Sequence, residues 1–124
     1  MAGAEILVVE DNEKNMKLFR DVLQATGYRT LEATSGEEAI EIVRSHEPAL
    51  VLMDVQLPGA DGIETLARLR EDERTAAPPV LAVTAQAMRG DRERFLEAGF
   101  DGYISKPVDV LELIAAVKEF CGDE

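Results

Sequence analysis

The sequence predicts an α/β domain: one doubly wound, five-stranded parallel sheet with helices on both faces. Three observations carry this. Short apolar stretches alternate with amphipathic ones five times along the 124 residues, the pattern of β–α units whose crossovers make a sheet parallel. The apolar stretches Ile6-Leu7-Val8-Val9, Leu50-Val51-Leu52-Met53 and Val80-Leu81-Ala82-Val83 are oily at successive positions, as buried strands are. Three of the helical stretches open on a serine or aspartate followed three residues later by glutamate, the form of a capping box.

The elements follow in order. Strand β1 is expected over Glu5–Val9, and helix α1 over Glu13–Ala25 with Met16, Phe19, Val22 and Leu23 inward. Gly27 ends α1, as glycine does where a helix closes in the left-handed conformation. A more polar strand β2 spans Tyr28–Ala33, and Ser35-Gly36-Glu37-Glu38 caps α2, which turns Ala39, Ile42 and Val43 inward and stops before Pro48. Strand β3 covers Ala49–Met53. Asp61-Gly62-Ile63-Glu64 opens α3, with Ile63, Leu66 and Leu69 inward. After a loop from Thr75 to Pro79, β4 spans Val80–Val83 and ends at Thr84. Helix α4 runs from about Met88 to Ala98 and closes at Gly99. Strand β5 is Tyr103–Ser105, and Asp109 caps α5, which carries Leu113, Ile114, Val117 and Phe120. Residues 1–124 contain no linker, repeat or low-complexity stretch and read as one domain.

Composition excludes several roles. Thirteen Lys and Arg stand against 25 Asp and Glu, a formal net charge of −12. Nucleic-acid backbones and anionic membrane surfaces are met by basic residues, so neither is an expected partner. With 46% hydrophobic residues the chain has enough apolar side chains for a core of its own. The single Cys121 has no partner for an internal disulfide, which fits a reducing compartment. No long apolar span or signal-peptide pattern is present. A cytoplasmic location is expected.

Chemistry gathers at the strand ends. The β1 run passes straight into Glu10-Asp11, and the β3 run into Asp54. Burying a lone carboxylate is costly, so such groups are paired, neutralised or bound to metal. In open parallel sheets ligands bind beyond the carboxyl ends of the strands, where the strand order reverses. For the order 2-1-3-4-5 that point lies between β1 and β3. Thr84 and Lys106, at the ends of β4 and β5, face the same rim. Singly, each has an ordinary role: Asp54 a loop residue, Glu10-Asp11 the acidic first turn of a helix, Thr84 a β-branched strand residue, Lys106 a surface cation. Jointly, at four strand ends, they describe one site.

This set, Glu10-Asp11, Asp54, Thr84 and Lys106-Pro107, resembles the receiver domain of two-component response regulators, and the resemblance spans essentially the whole chain. The stretches Asp11-Asn12-Glu13-Lys14-Asn15-Met16 and Ser105-Lys106-Pro107 look most like stand-alone, single-domain receivers of cell-cycle and stress signalling. The resemblance implies the flavodoxin-like fold. Chemotaxis receivers of the same family have the 2-1-3-4-5 order, so the order comes with the resemblance. It also implies a cis Lys106–Pro107 bond. The one departure from the commonest pattern is Glu10 in place of a second aspartate; its greater length favours a water-bridged role.

A receiver's mechanism would be as follows. Asp54 is the nucleophile, accepting a phosphoryl group from a histidine kinase or histidine phosphotransfer protein as an acyl phosphate. Mg²⁺, the expected cofactor, is held by Glu10, Asp11, Asp54 and the backbone carbonyl of Gln56. Thr84 and Lys106 take phosphoryl oxygens. Thr84 then moves, Tyr103 (by itself equally readable as an ordinary partly buried strand aromatic) rotates at the position receivers use for an aromatic switch, and a downstream protein reads the changed face of α4, β5 and α5. Gln56 and Gln86 lie two residues past Asp54 and Thr84, where receivers tune phosphoryl lifetime. Met88, Arg89 and Phe95 read more simply as solvent and core residues than as a partner surface, and His46 as a cation at the end of α2. A monomer or weak dimer is expected, with a module excised from a hybrid kinase or larger regulator as the alternative to a stand-alone protein.

Three rival classes fit less well. A phosphatase with an aspartyl nucleophile, of the haloacid dehalogenase type, needs an acid two residues on; here that is Gln56, which argues against turnover of a separate substrate. A flavin carrier needs a Ser/Thr/Gly-rich phosphate loop after β1, where this chain has Glu10-Asp11-Asn12-Glu13. An interaction module that has lost phosphorylation would not need the full set of five residues.

Overall fold

The computed structural model describes residues 4–57, 61–85 and 91–121, without the side chains of residues 91 and 92. Five strands, β1 (Glu5–Val9), β2 (Arg29–Ala33), β3 (Leu50–Asp54), β4 (Val80–Thr84) and β5 (Gly102–Ser105), alternate with α1 (Glu13–Ala25), α2 (Gly36–His46), α3 (Gly62–Glu71), α4 (Asp91–Ala98) and α5 (Val110–Cys121). They form one parallel sheet in the order β2-β1-β3-β4-β5. The expected fold is observed. Gln86, Met88 and Arg89, and with them the expected start of α4, lie outside the described residues.

The pleat explains why the central strands are oily at every position. Ile6, Val8, Leu50, Leu52, Leu81 and Val83 pack with α1 and α5, through Met16, Phe19, Leu23, Leu113 and Val117. Their neighbours Leu7, Val9, Val51, Met53, Val80 and Ala82 pack on the opposite face with Ala39, Val43, Leu66, Leu69 and Phe95 of α2, α3 and α4. Successive side chains of a strand point to opposite faces, and both faces are covered here. Val22, Ile42, Ile63 and Phe120 are only half-buried, packed at the margins of these two cores, and Ile114 is half-buried as well. Phe95 is a core residue, edge-on to Phe100 at 6.1 Å. His46 is exposed at the last position of α2, beside the Ser45 hydroxyl.

Helix ends follow the capping residues. Ser35 accepts from the Glu38 amide, Asp61 from that of Glu64, and Asp109 from those of Leu111 and Glu112. Around α2 the Glu38 carboxylate returns to the Thr34 amide, one residue earlier than a capping box requires. Gly27 and Gly99 have φ of 103° and 110°, conformations L side chains rarely adopt.

Helix α3 ends without such a glycine. The buried Thr75 hydroxyl donates instead to the Leu69 carbonyl at 2.7 Å, and Arg70 donates to the Ala76 and Pro78 carbonyls and to Asp101. Thr75→Val keeps the shape and leaves that carbonyl unpaired, so it should cost about 1–3 kcal/mol. Chemical denaturation checks this; an unchanged midpoint would contradict the capping role.

Candidate functional site

The turns after the strands extend the sheet to its carboxyl rim. The Glu10 amide donates to Ala33, that of Val55 to Val83, and that of Lys106 to Thr84, at 2.8–3.0 Å. These bonds carry the register past the strand ends and hold the residues after β1, β3 and β5 in line. Residues on one side of the pleat then converge. Asp54 continues the Leu50–Leu52 series, Glu10 the Ile6–Val8 series, and Lys106 follows two residues after Ile104, all toward the α1–α5 face. The Lys106 ammonium lies 3.0 Å from Asp54 Oδ2 and 3.1 Å from Glu10 Oε1. Glu10 and Asp54 are both buried.

The third strand sits one residue later than its sequence suggests. It is Leu50–Asp54, not Ala49–Met53, so Asp54 is the strand's last paired residue, opposite Val83. Asp54 is fixed on both oxygens: Oδ1 accepts the Gln56 amide at 2.9 Å and Oδ2 accepts from Lys106. A strand residue held this way has little freedom to change rotamer.

Glu10 is positioned by its own turn. Its Oε2 accepts from the Asn12 amide at 3.1 Å, so the side chain folds back where an aspartate would reach straight on. Oε1 is buried and accepts no hydrogen bond; its contact with Lys106 is an ion pair without hydrogen-bond alignment. Among the described residues it is the only buried side-chain polar atom in that condition. Asn12 also caps α1 by accepting from Lys14 and Asn15. Asn12 is not among the site residues expected from the sequence, although asparagine before a helix is a strong capping signal.

Electrostatics follow from this packing. Burial raises Glu10 above the usual glutamate value, and the nearby Asp54 carboxylate adds to the shift, with the Asn12 amide and Lys106 opposing it. For Lys106 burial works against the charge, but the Asp54 and Glu10 carboxylates outweigh it and hold the ammonium above the ordinary lysine value. A raised lysine stays charged through neutral pH, so its own contribution to the pairing is full below the ordinary lysine pKa and is lost as pH rises through the elevated one.

Asp11 is exposed, yet one of its oxygens lies within 4.8 Å of oxygens of Glu10 and Asp54. Three carboxylates this close repel one another unless a cation balances them. In this structure Lys106 meets two of them. The hard oxygen donors and the orphaned Oε1 suit a small divalent cation such as Mg²⁺.

Thr84 is buried at the end of β4. By the pleat it lies on the other face, with Ala82 and the α3–α4 core. Tyr103 packs against that same core, and the register Ala82↔Tyr103, Thr84↔Ser105 makes Thr84 and Tyr103 diagonal neighbours on one face. Tyr103 also lines a surface cavity of about 240 Å³ with Leu96, Ala116 and Phe120. The Lys106–Pro107 bond is cis.

Known proteins match this chain along nearly its whole length. The model of the response regulator receiver domain matches residues 6–118. The polar-differentiation response regulator DivK of Brucella ovis is 49% identical over 118 residues, covering 95% of this chain and 96% of that protein. A receiver domain of a sensor histidine kinase from Pseudomonas aeruginosa, crystallised with a magnesium ion coordinated in its active-site cleft, superposes with a TM-score of 0.89. It is 35% identical and covers 98% of this chain and 100% of its own. A putative response regulator from Chloroflexus aurantiacus gives the same TM-score at 33% identity, over 95% of this chain and 97% of its own. Among the described residues no helix is long and apolar enough to cross a membrane.

Proposed function

The chain belongs to the response regulator receiver family of two-component signalling, and from that premise we propose that Asp54 is its phosphoryl acceptor. The observation that carries this reading is the buried contact of Asp54 with Lys106 and Glu10 at the sheet's carboxyl rim, with Asp11 beside it. The donor is a histidine kinase or histidine phosphotransfer protein. An Asp54 oxygen attacks phosphorus, the phosphorus–nitrogen bond to the donor imidazole breaks, and the imidazole, already protonated on its other ring nitrogen, leaves as the neutral base.

Glu10, Asp11 and Asp54 would hold Mg²⁺, with the Gln56 carbonyl as a further ligand. When bound, the ion neutralises charge between the carboxylates and the incoming phosphoryl group. Lys106 already sits at Asp54 Oδ2 and needs little movement to meet a phosphoryl oxygen there. Gln56 supplies no acid for a leaving group, so the domain assists its own phosphorylation and dephosphorylation without turning over a separate substrate.

The switch runs through the opposite face of the sheet. The Thr84 hydroxyl binds another phosphoryl oxygen, and its movement opens room on the face it shares with Tyr103. Tyr103 turns inward and reshapes the surface of α4, β5 and α5 around the adjoining cavity. A partner that prefers one of the two arrangements reads the signal.

Intact-mass analysis after incubation with acetyl phosphate should find one added phosphoryl group, mapped to Asp54 and absent when a Mg²⁺ chelator is present during the incubation. Labelling on another residue, or labelling indifferent to chelation, would overturn the reading. Metal ligands bind deprotonated, and Glu10 takes its proton at a higher pH than an ordinary glutamate. Mg²⁺ affinity should therefore weaken early as pH falls from neutral, and less steeply in Glu10→Gln. Calorimetric titrations over a pH series check this; identical slopes would remove Glu10 from the ligand set.

A further inference from the structure

We propose that Gly62, at the start of α3, is a positioning residue for the Asp54 site. This rests on the reading of Asp54 as phosphoryl acceptor and of the acidic cluster as its metal site. A Cβ added at Gly62 would lie 2.6 Å from the Asp54 carbonyl oxygen, 2.8 Å from Val55 Cα and 3.2 Å from the Asp54 carbonyl carbon. All three are backbone atoms, so no side chain can swing aside. The helix start presses directly on the peptide that carries the acceptor.

That peptide is clamped from two sides. On the sheet side the Val55 amide donates to Val83 at 3.0 Å. On the helix side the Gly62 amide donates to the Val55 carbonyl at 2.9 Å. The helix start is itself fixed, by the Asp61 cap to Glu64 and by Leu66 and Leu69 in the core. Gly62 is buried between them. Any side chain there must push α3 outward or displace the Asp54–Val55 peptide. Displacing that peptide moves a carboxylate whose oxygens are set against Lys106, Glu10 and the Gln56 amide. Only glycine, without a Cβ, fits so close to that peptide.

The test compares Gly62→Ala with Thr75→Val, a destabilised variant at the far end of the same helix, at a temperature where both are folded. Calorimetry with Mg²⁺ alone should show affinity about 10-fold weaker in Gly62→Ala, the low end of the roughly 10–100-fold effect of groups that orient metal ligands. Thr75→Val should bind as the wild type does. Acetyl phosphate labelling should slow in the same order. Equal Mg²⁺ affinity in Gly62→Ala and wild type, whatever the fall in melting temperature, overturns the proposal, because the strain has then gone into α3. Should Gly62→Ala not fold, Asp61→Ala loosens the same helix start more gently. It should weaken Mg²⁺ binding in smaller measure, and unchanged binding there refutes the proposal too. Failure of the wild type to bind Mg²⁺ or to be labelled on Asp54 would instead overturn the underlying function, and the Gly62 assignment with it.

Discussion

Asp54→Asn should take up no phosphoryl group from acetyl phosphate while keeping the fold. Asparagine has nearly the shape of aspartate and can still accept the Gln56 amide on Oδ1. On the proposed reading it loses the anionic oxygen that would attack phosphorus, so labelling should fall to background. Lys106 would keep Glu10 as its counter-charge at 3.1 Å, which limits the cost to stability. Mg²⁺ affinity should also drop, since one of three clustered carboxylates is gone. Intact-mass spectrometry gives the first result and calorimetry the second. Undiminished labelling of Asp54→Asn would sink the assignment of the acceptor.

Lys106→Ala should have the second-largest effect, and the geometry gives it two parts. Removing the ammonium leaves Glu10 and Asp54 buried together without their cation. Breaking a fully buried pair costs roughly 3–5 kcal/mol. Lys106 retains 20% side-chain exposure, so about 2 kcal/mol is expected for the metal-free protein. The loss should shrink as pH falls, because Glu10, already raised, takes up a proton and relieves the repulsion. It should shrink also with added Mg²⁺, whose affinity should match or exceed that of the wild type because no ammonium competes for the carboxylates. Denaturation with and without Mg²⁺ tests this; a variant as stable as wild type without metal would contradict the counter-ion role. The second part concerns signalling: phosphorylated Lys106→Ala should no longer differ from the unphosphorylated form in partner binding.

Much of the site was legible as strand-end chemistry. Asp54, Glu10, Asp11, Thr84 and Lys106 each follow or close an apolar run, and locating the runs was enough to place them on one rim. Their division between the two faces was not legible. Glu10-Asp11 reads as a pair of equal acids, yet Glu10 is buried against Lys106 and Asp11 is exposed. The extra length of Glu10, which favours a water-bridged role, is taken up by the bond to the Asn12 amide, and Oε1 lies 3.1 Å from the Lys106 ammonium. Lys106 reads as a surface cation when taken alone. It becomes a counter-ion only through a partner 52 residues away. Gly62 reads as part of a capping pattern; the pressure it relieves comes from the backbone of another element.

Element order and most element bounds follow from local sequence, because apolar runs, amphipathic spacing and caps are decided among near neighbours in the chain. Local sequence also sets which polar groups stand at the strand ends. Which of them meet depends on the packed sheet. The pleat and the parallel register turn Glu10, Asp54 and Lys106 toward one face and Thr84 and Tyr103 toward the other. Charge pairing and close backbone approach depend on distances between elements far apart in the chain, and those distances exist only once the sheet has formed.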